Sequence, residues 1–267
     1  MACGIYRLRD WSRVEAGEVL GCRPARRWIL YLGEVHEAGW SIYCNTMLLR
    51  EAAKAGARFL GLEHFTYDQQ ELLDEWFAGT LDWGGLTGKY TGGFRLDAYK
   101  PLLEEARRLG LRPVALFPPR RLAGQVARMG IDALDSLETP LPTSLLREAV
   151  AEEYRGYRER LLSLFPREGP MARLGREGLI LAQAFKDTVA GYLAAEASSR
   201  YGSGVVLAGW AHVEFNGSIP SRARRFDPGH GFLAVTARES GLDEARIGLE
   251  EWLPVTIASF LSIPHGH

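Results

Sequence analysis

The chain has 267 residues, 46% of them hydrophobic and 24% charged, with a formal net charge of −1. That length suits one α/β domain with an elaboration, or two small domains, and the balance supplies a core of normal size, which excludes a disordered chain. The near-neutral charge, with no basic run interleaved with aromatics, excludes the electrostatic footprint of a nucleic-acid binder.

The three cysteines are Cys3, Cys22 and Cys44. Their odd number and the absence of a Cys-x-x-Cys pair predict reduced thiols in a cytoplasm. Residues 1–10 hold no apolar run of signal-peptide length, and no hydrophobic stretch precedes Cys3. The expectation is a cytoplasmic chain without a lipoprotein anchor. No segment approaches ~18 uninterrupted apolar residues, so no membrane span is expected.

In chain order, the first apolar run is 28–32. It is too short for a lone helix and reads as a buried strand. Residues 42–55 carry apolar side chains at helical spacing and stop at Gly56. A second strand is expected over 58–62. Asp68 then opens a helix with Leu72, Leu73, Trp76 and Phe77 on one face, closed by Gly79. Residues 80–95 are Gly-rich and aromatic, and predict a lid or binding loop. A helix follows over 98–109, and a third strand over 113–117. Residues 143–200 hold no strand candidate. Two long helices are expected there, 144–164 and 175–199, joined by 166–170. A fourth strand is expected over 204–208, a fifth over 232–236 and a last near 252–257. The alternation predicts an α/β fold: a mainly parallel sheet flanked by helices, in a single domain over 1–267, with a helical insert over 143–200.

The strand ends carry the chemistry. The first run is followed by Gly33-Glu34-Val35-His36, and the second closes on Glu63-His64. The third leads to Pro118-Pro119-Arg120, and the fourth to Gly209-Trp210-Ala211-His212. Ligands of open α/β sheets bind at the carboxyl ends of the strands, so these residues are expected to converge on one edge. His36, Glu63 and His212 suit two uses. They can hold a divalent metal, or they can activate a water for attack on a carbonyl. Arg120 suits a bidentate contact to a carboxylate, propionate or phosphate. Glu34 suits a helix cap or an ion pair. His64 follows Glu63 directly, so the two side chains point to opposite faces if the strand continues. Gln183 and Asp187 lie four apart on one helical face, placed to close the pocket or brace a histidine.

Five motifs in order give a resemblance. Gly33-Glu34-Val35-His36 resembles the Gly-Glu-x-His opening of the ChaN-like family of the Tiki superfamily. Gly61-Leu62-Glu63-His64-Phe65, with Asp68-Gln69-Gln70 and Leu73-Asp74, resembles its Leu-Glu-Met-Phe…Asp-Gln-Gln…Leu-Asp segment. Ala115 to Arg120 is similar to its Ala-x-Asn-x-Pro-Arg, and Ala182-Gln183 with Asp187 to its Ala-Gln-x-x-x-Asp. Gly209 to Val213, then Gly217 to Arg222, is similar to its Gly-x-x-His-Val…Gly-Ile-Pro-x-Arg. The resemblance implies haem binding linked to iron uptake. The wider superfamily includes Tiki-type metal-dependent peptidases and erythromycin-esterase-like hydrolases, and there the working site falls on the positions of His36, Glu63 and His212. The chain departs from the family pattern where Glu37-Ala38-Gly39 replaces Asp-Asn-Pro and the further histidines. Phe117 and Trp210 stand at Asn positions, and His64 at a Met position. These changes imply a more aromatic pocket.

No Cys-x-x-Cys-His is present for covalent haem attachment. A non-covalent site needs an axial ligand and cations for the propionates. Tyr43, Tyr67, Tyr90 and His64 are the axial candidates, and the sequence does not choose among them. The partners implied are a small-molecule ligand, haem or another, with a homodimer left open.

Overall fold

The computed structural model describes residues 3–7, 10, 12–21, 26–165, 175–214, 216–237 and 259–264. The chain opens with β1 (Cys3–Arg7), β2 (Arg13–Val14) and α1 (Ala16–Gly21). Then come β3 (Trp28–Glu34), α2 (Gly39–Lys54), β4 (Phe59–Thr66), a 3-10 turn over Tyr67–Gln69, and α3 (Gln70–Ala78). Next are α4 (Trp83–Lys89), α5 (Leu96–Arg108), β5 (Arg112–Phe117) and α6 (Arg120–Met129), followed by a second 3-10 segment, Gly130–Ser136. The remainder is α7 (Thr143–Ala151), α8 (Tyr157–Leu164), α9 (Arg176–Tyr201), β6 (Gly204–Gly209), α10 (Ala211–Glu214), α11 (Ile219–Phe226), β7 (Gly231–Ala237) and β8 (Ser259–Pro264).

The strands form one sheet in the order β2-β1-β8-β7-β3-β6-β4-β5. From β8 to β5 all pairings are parallel, and β1 and β2 add an antiparallel edge. The α/β class and the five strands expected over 28–236 therefore hold. The strand expected near 252–257 lies outside the described residues.

Side-chain alternation divides the sheet between two cores. Leu30, Leu32, Leu60, Leu62, Val205 and Leu207 pack with residues of α2, α3 and α5. Ile29, Tyr31, Phe59, Val206 and Ala208 pack on the other face with Ala190, Ala194 and Ala197 of α9 and with Ile219 and Ala223 of α11. A third cluster, built around Leu122, Leu146, Leu161 and Phe185, joins α6, α7 and α8 to the first half of α9.

Three expectations need correction. The loop over 80–95 contains α4, capped by the Asp82 side chain, which accepts from the Gly85 amide. The helix expected over 144–164 is two helices: α7 stops at Ala151, with Glu152 extended, and α8 starts after Gly156 at φ 78°. The thiols expected to be reduced are partly paired. Cys3 and Cys44 form a disulfide with a Cα separation of 5.7 Å, tying β1 to α2.

The free edge of β5 is covered by one side chain. Gln70 donates to the Pro113 carbonyl at 3.0 Å and accepts from the Ala115 amide at 2.7 Å. It thus stands in for a further strand and blunts an edge that otherwise invites pairing. Arg222 pins the helices of the other face. It is fully buried, stacks over Tyr154 and Tyr157, and donates to Ala149 O and Thr188 Oγ1 at 2.7 Å.

Two stability outcomes follow. Cys44→Ser, or reductant on the wild type, is expected to lower unfolding free energy by about 2–4 kcal/mol. A denaturation midpoint unmoved by reductant would show that the bond is absent in solution. Gln70→Ala is expected to cost about 1–3 kcal/mol in urea melts, because two buried edge groups lose their partners.

Candidate functional site

Topology puts a crevice at the end of β6. This strand lies between β3 and β4. The chain leaves β3 and β4 towards the α2/α3/α5 face, and leaves β6 through α10 towards the α11 face. Neighbouring strands whose connections part to opposite faces open a crevice at their carboxyl ends. The Trp210 amide bonds the Glu34 carbonyl at 2.9 Å and joins the two ends.

Glu34 is fully buried and closes β3. One of its oxygens, Oε1, accepts from three groups. They are His36 Nδ1 at 2.7 Å, His64 Nε2 at 2.8 Å and the Tyr99 hydroxyl at 2.8 Å. A carboxylate only accepts, so both ring nitrogens carry protons here. Burial pushes the Glu34 pKa up, and the two histidines outweigh it, bringing it to about 2. Burial lowers the His36 pKa, but its hydrogen bond to Glu34 and the charges of Glu63 and Glu34 outweigh burial and raise it.

The turn after His36 is held in an unusual conformation. Glu37 sits at φ 59°, a region that non-glycine residues seldom adopt. Its amide donates to the Tyr99 hydroxyl, and its carboxylate accepts from the Arg95 amide and Nε. Those bonds fix where the His36 ring lies.

Glu63, nearly buried at the end of β4, is the second centre. Its Oε2 accepts from the Gly209 amide at 2.5 Å. Its Oε1 lies 3.9 Å from His36 Nε2 and 3.7 Å from His212 Nε2. Burial raises the Glu63 pKa, but His212, His36 and His64 together lower it. Only glycine fits at 209, since a Cβ there would come 2.7 Å from His36 Nε2. His212 Nδ1 is 2.5 Å from Asp187 Oδ1, and Asp187 Oδ2 accepts from the Tyr157 hydroxyl at 2.7 Å.

Both imidazoles therefore give their Nδ1 proton to a buried carboxylate and turn Nε2 towards Glu63. That is how metal-binding histidines are commonly oriented. Glu34, His36 and His64 also offer atoms within 4.8 Å of one another. However, the nitrogens facing Glu34 are protonated donors, so the lone pairs available to a cation lie around Glu63. An oxygen about 2.8 Å from each group fits the same gaps.

A cleft of about 170 Å³ opens beside this cluster, walled by Glu63, His64, Phe94, Phe117, Arg120 and Lys186. His36, Glu63, His212, Glu34, His64 and Asp187 thus come together. The alternation expected for Glu63 and His64 holds. His64 turns to Glu34 and Tyr99, and Glu63 to His212. Arg120 starts α6 and lies on the cleft wall. Gln183 lines a separate cavity between α6 and α9 instead. Tyr43 is 44% exposed on α2 and does not line the cleft. Tyr99, Tyr157, Phe94 and Lys186 were not foreseen. Only Lys186 had a signal in sequence, standing beside Asp187 in the Ala182–Asp187 stretch. Phe117 meets the His212 ring edge-on at 5.0 Å, so the aromatic substitution does pack in the pocket.

The family model described as haem-binding uptake, Tiki superfamily, ChaN matches residues 23–223. The structure titled cofacial haem binding to ChaN of Campylobacter jejuni is 15% identical, covers 99% of this chain and 97% of its own, and has a TM-score of 0.63. A mutant of the erythromycin esterase EreC in its open conformation is 16% identical, with coverage of 90% and 78% and a TM-score of 0.49. A Bacillus cereus protein is 11% identical, with coverage of 85% and 76% and a TM-score of 0.48. No curated protein sequence matches the chain.

Glu34 links this site to acid stability. Its folded pKa of about 2 lies below the unfolded value near ~4.3, so its contribution is present above pH ~4.3 and is lost as pH falls towards 2. Glu34→Gln is expected to cost about 1–3 kcal/mol at pH 7 and to flatten the stability curve below pH ~4.3. Unchanged curvature in urea melts across that range would remove Glu34 from this role.

Proposed function

Because the chain belongs to the ChaN haem-binding uptake family of the Tiki superfamily, we propose that it binds haem at the carboxyl edge of its sheet, with His36 as the iron's ligand. One observation carries this reading. His36 has its Nδ1 held by Glu34, a free Nε2, and a ring still 41% exposed and packed against Phe94 of the cleft wall. The other candidates are engaged or apart. Tyr67 donates to Glu138 O, Tyr90 donates to His64 O, and His64 is buried against Phe94 and Tyr99. Tyr43 is exposed but has no orienting hydrogen bond among the described residues. Haem would supply an iron able to accept an axial nitrogen.

The cleft, at about 170 Å³, is smaller than the ~300–1,000 Å³ of pockets that enclose a drug-sized ligand. Phe94, which packs against the His36 ring, would offer a haem an apolar contact, and Arg120 on the cleft wall would hold a propionate. The Campylobacter jejuni protein is described as binding haem cofacially. An open mouth suits that geometry better than a closed slot, and a pair of chains facing one another through it is the homodimer this reading favours. A role in iron handling follows from the ligand.

A second reading rests on Glu63. Its Oε1 and the two Nε2 atoms surround a space for a divalent ion or a water. Asp187 orients His212 as a carboxylate orients a catalytic base. On this reading the chain is a hydrolase, with or without metal. The two uses share His36, Glu63 and His212.

We keep one domain with a helical insert over 143–200 as our reading, supported by the separate apolar cluster of α6 to α9. No helix among the described residues is long and apolar enough to cross a membrane. The Cys3–Cys44 bond favours an oxidising compartment over the cytoplasm expected from sequence.

Haem titration tests the first reading. Wild type is expected to show a saturable Soret shift, His36→Ala to weaken it at least about tenfold, a loss of ~1.4 kcal/mol, and Tyr43→Phe to leave it unchanged. A shift that survives His36→Ala overturns the assignment of the ligand. No shift in wild type overturns haem binding, and zinc or manganese bound by wild type but not by His212→Ala would then favour the second reading.

A further inference from the structure

Two cavities meet at one lysine. The cleft beside Glu63 and a second space of about 180 Å³ both have Ala123 and Lys186 in their walls. The second space runs between α6 and α9. Ala123, Gly124 and Ala127 come from α6, and Leu179, Ala182 and Gln183 from α9. Small side chains recurring at one-turn spacing leave the space between the two helix faces unfilled there. Apart from Gln183 and Lys186, its walls are apolar, so it forms an apolar gallery that shares Ala123 and Lys186 with the cleft.

Lys186 stands at the junction, its ammonium 5.7 Å from the centre of the Phe117 ring. No carboxylate of the described residues forms an ion pair with it. The nearest acids, Glu63 and Asp187, are committed to Gly209 and to His212 and Tyr157. Arg120 on the cleft wall has no ion pair among the described residues either. Burial lowers the Lys186 pKa, as expected for a cation short of a partner. Lys186 is half-buried, and a partly desolvated cation without a counter-charge favours a ligand that supplies one.

We propose that Lys186 and Arg120 form an anion subsite for an amphipathic carboxylate, whose unbranched apolar tail occupies the gallery between α6 and α9. The ammonium donates to the carboxylate at the junction, and the tail replaces contact with water by contact with Ala127, Leu179 and Ala182. The proposal extends the candidate ligand site inward. It does not depend on iron at the mouth.

The experiment is calorimetric titration of the whole chain with acetate, butyrate, hexanoate and octanoate. Wild-type affinity is expected to rise along the series. Lys186→Met is expected to weaken every member about tenfold or more, as loss of a hydrogen bond between charged groups does. A Cβ at position 124 meets only the flexible Arg128 side chain, which makes Gly124→Leu a suitable plug for the gallery. It is expected to leave acetate unchanged and to abolish the gain from butyrate to octanoate. Thermal melts of each variant establish that it is folded. Affinity that does not change with chain length overturns the proposal, as does unchanged binding in Lys186→Met or no binding of any member. The same wild-type sample is titrated with haem. A Soret shift without carboxylate binding overturns this proposal and keeps the haem reading. Carboxylate binding without a Soret shift does the reverse.

Discussion

One oxygen organises the end of the sheet. Glu34 Oε1 receives hydrogen bonds from β4, α5 and its own downstream loop. A buried carboxylate without partners would be protonated, and here three donors keep it charged. The charge in turn fixes the tautomer of His36 and leaves its outer nitrogen bare. Without Glu34, the His36 ring has no reason to present that nitrogen to Glu63. Tyr99 carries the constraint further, since it also accepts from the amide of Glu37, whose backbone is strained. The strain is offset by bonds on both sides of the turn, which is the usual condition for its persistence at a working site.

The arrangement around Glu63 repeats the same logic with other residues. Asp187 takes the place of Glu34, His212 that of His36, and Tyr157 that of Tyr99. Each half is a carboxylate that holds a histidine and is itself held by a tyrosine. The two halves come from opposite faces of the sheet, one through α5 and one through α8 and α9. They meet only because β6 is inserted between β3 and β4, which brings Gly209 beneath the His36 ring.

Much of this was legible in the sequence, for identifiable reasons. β3, β4, β6 and β7 are buried on both faces, and β5 over its last three residues, so each leaves an apolar run. Their ends carry the polar residues because backbone pairing stops there. What was hidden depends on long-range pairing. β1 and β2 are short, and only their partners make them strands. The Tyr99 and Tyr157 hydroxyls look like packing tyrosines until the helices are placed. α4 hides among glycines because its cap, Asp82, and its buried Leu86 are too few to give a periodic signal. The pairing of Cys3 with Cys44 has no local trace. Gly156 marked the break between α7 and α8, but one glycine inside an amphipathic stretch is a weak stop.

The strand β1 has a consequence for the order of assembly. It pairs with β2 close by in sequence, and along its length with β8, from Cys3 opposite Pro264 to Arg7 opposite Phe260. It therefore finds the neighbour that joins it to the rest of the sheet only after β8 has emerged. During translation the amino-terminal segment has no sheet to join, and Cys3 has no fixed position relative to Cys44. The crosslink is thus a late mark, made when the two ends of the chain have met. A nascent chain stalled before β8 would carry a finished central sheet with Cys3 and Cys44 still as thiols.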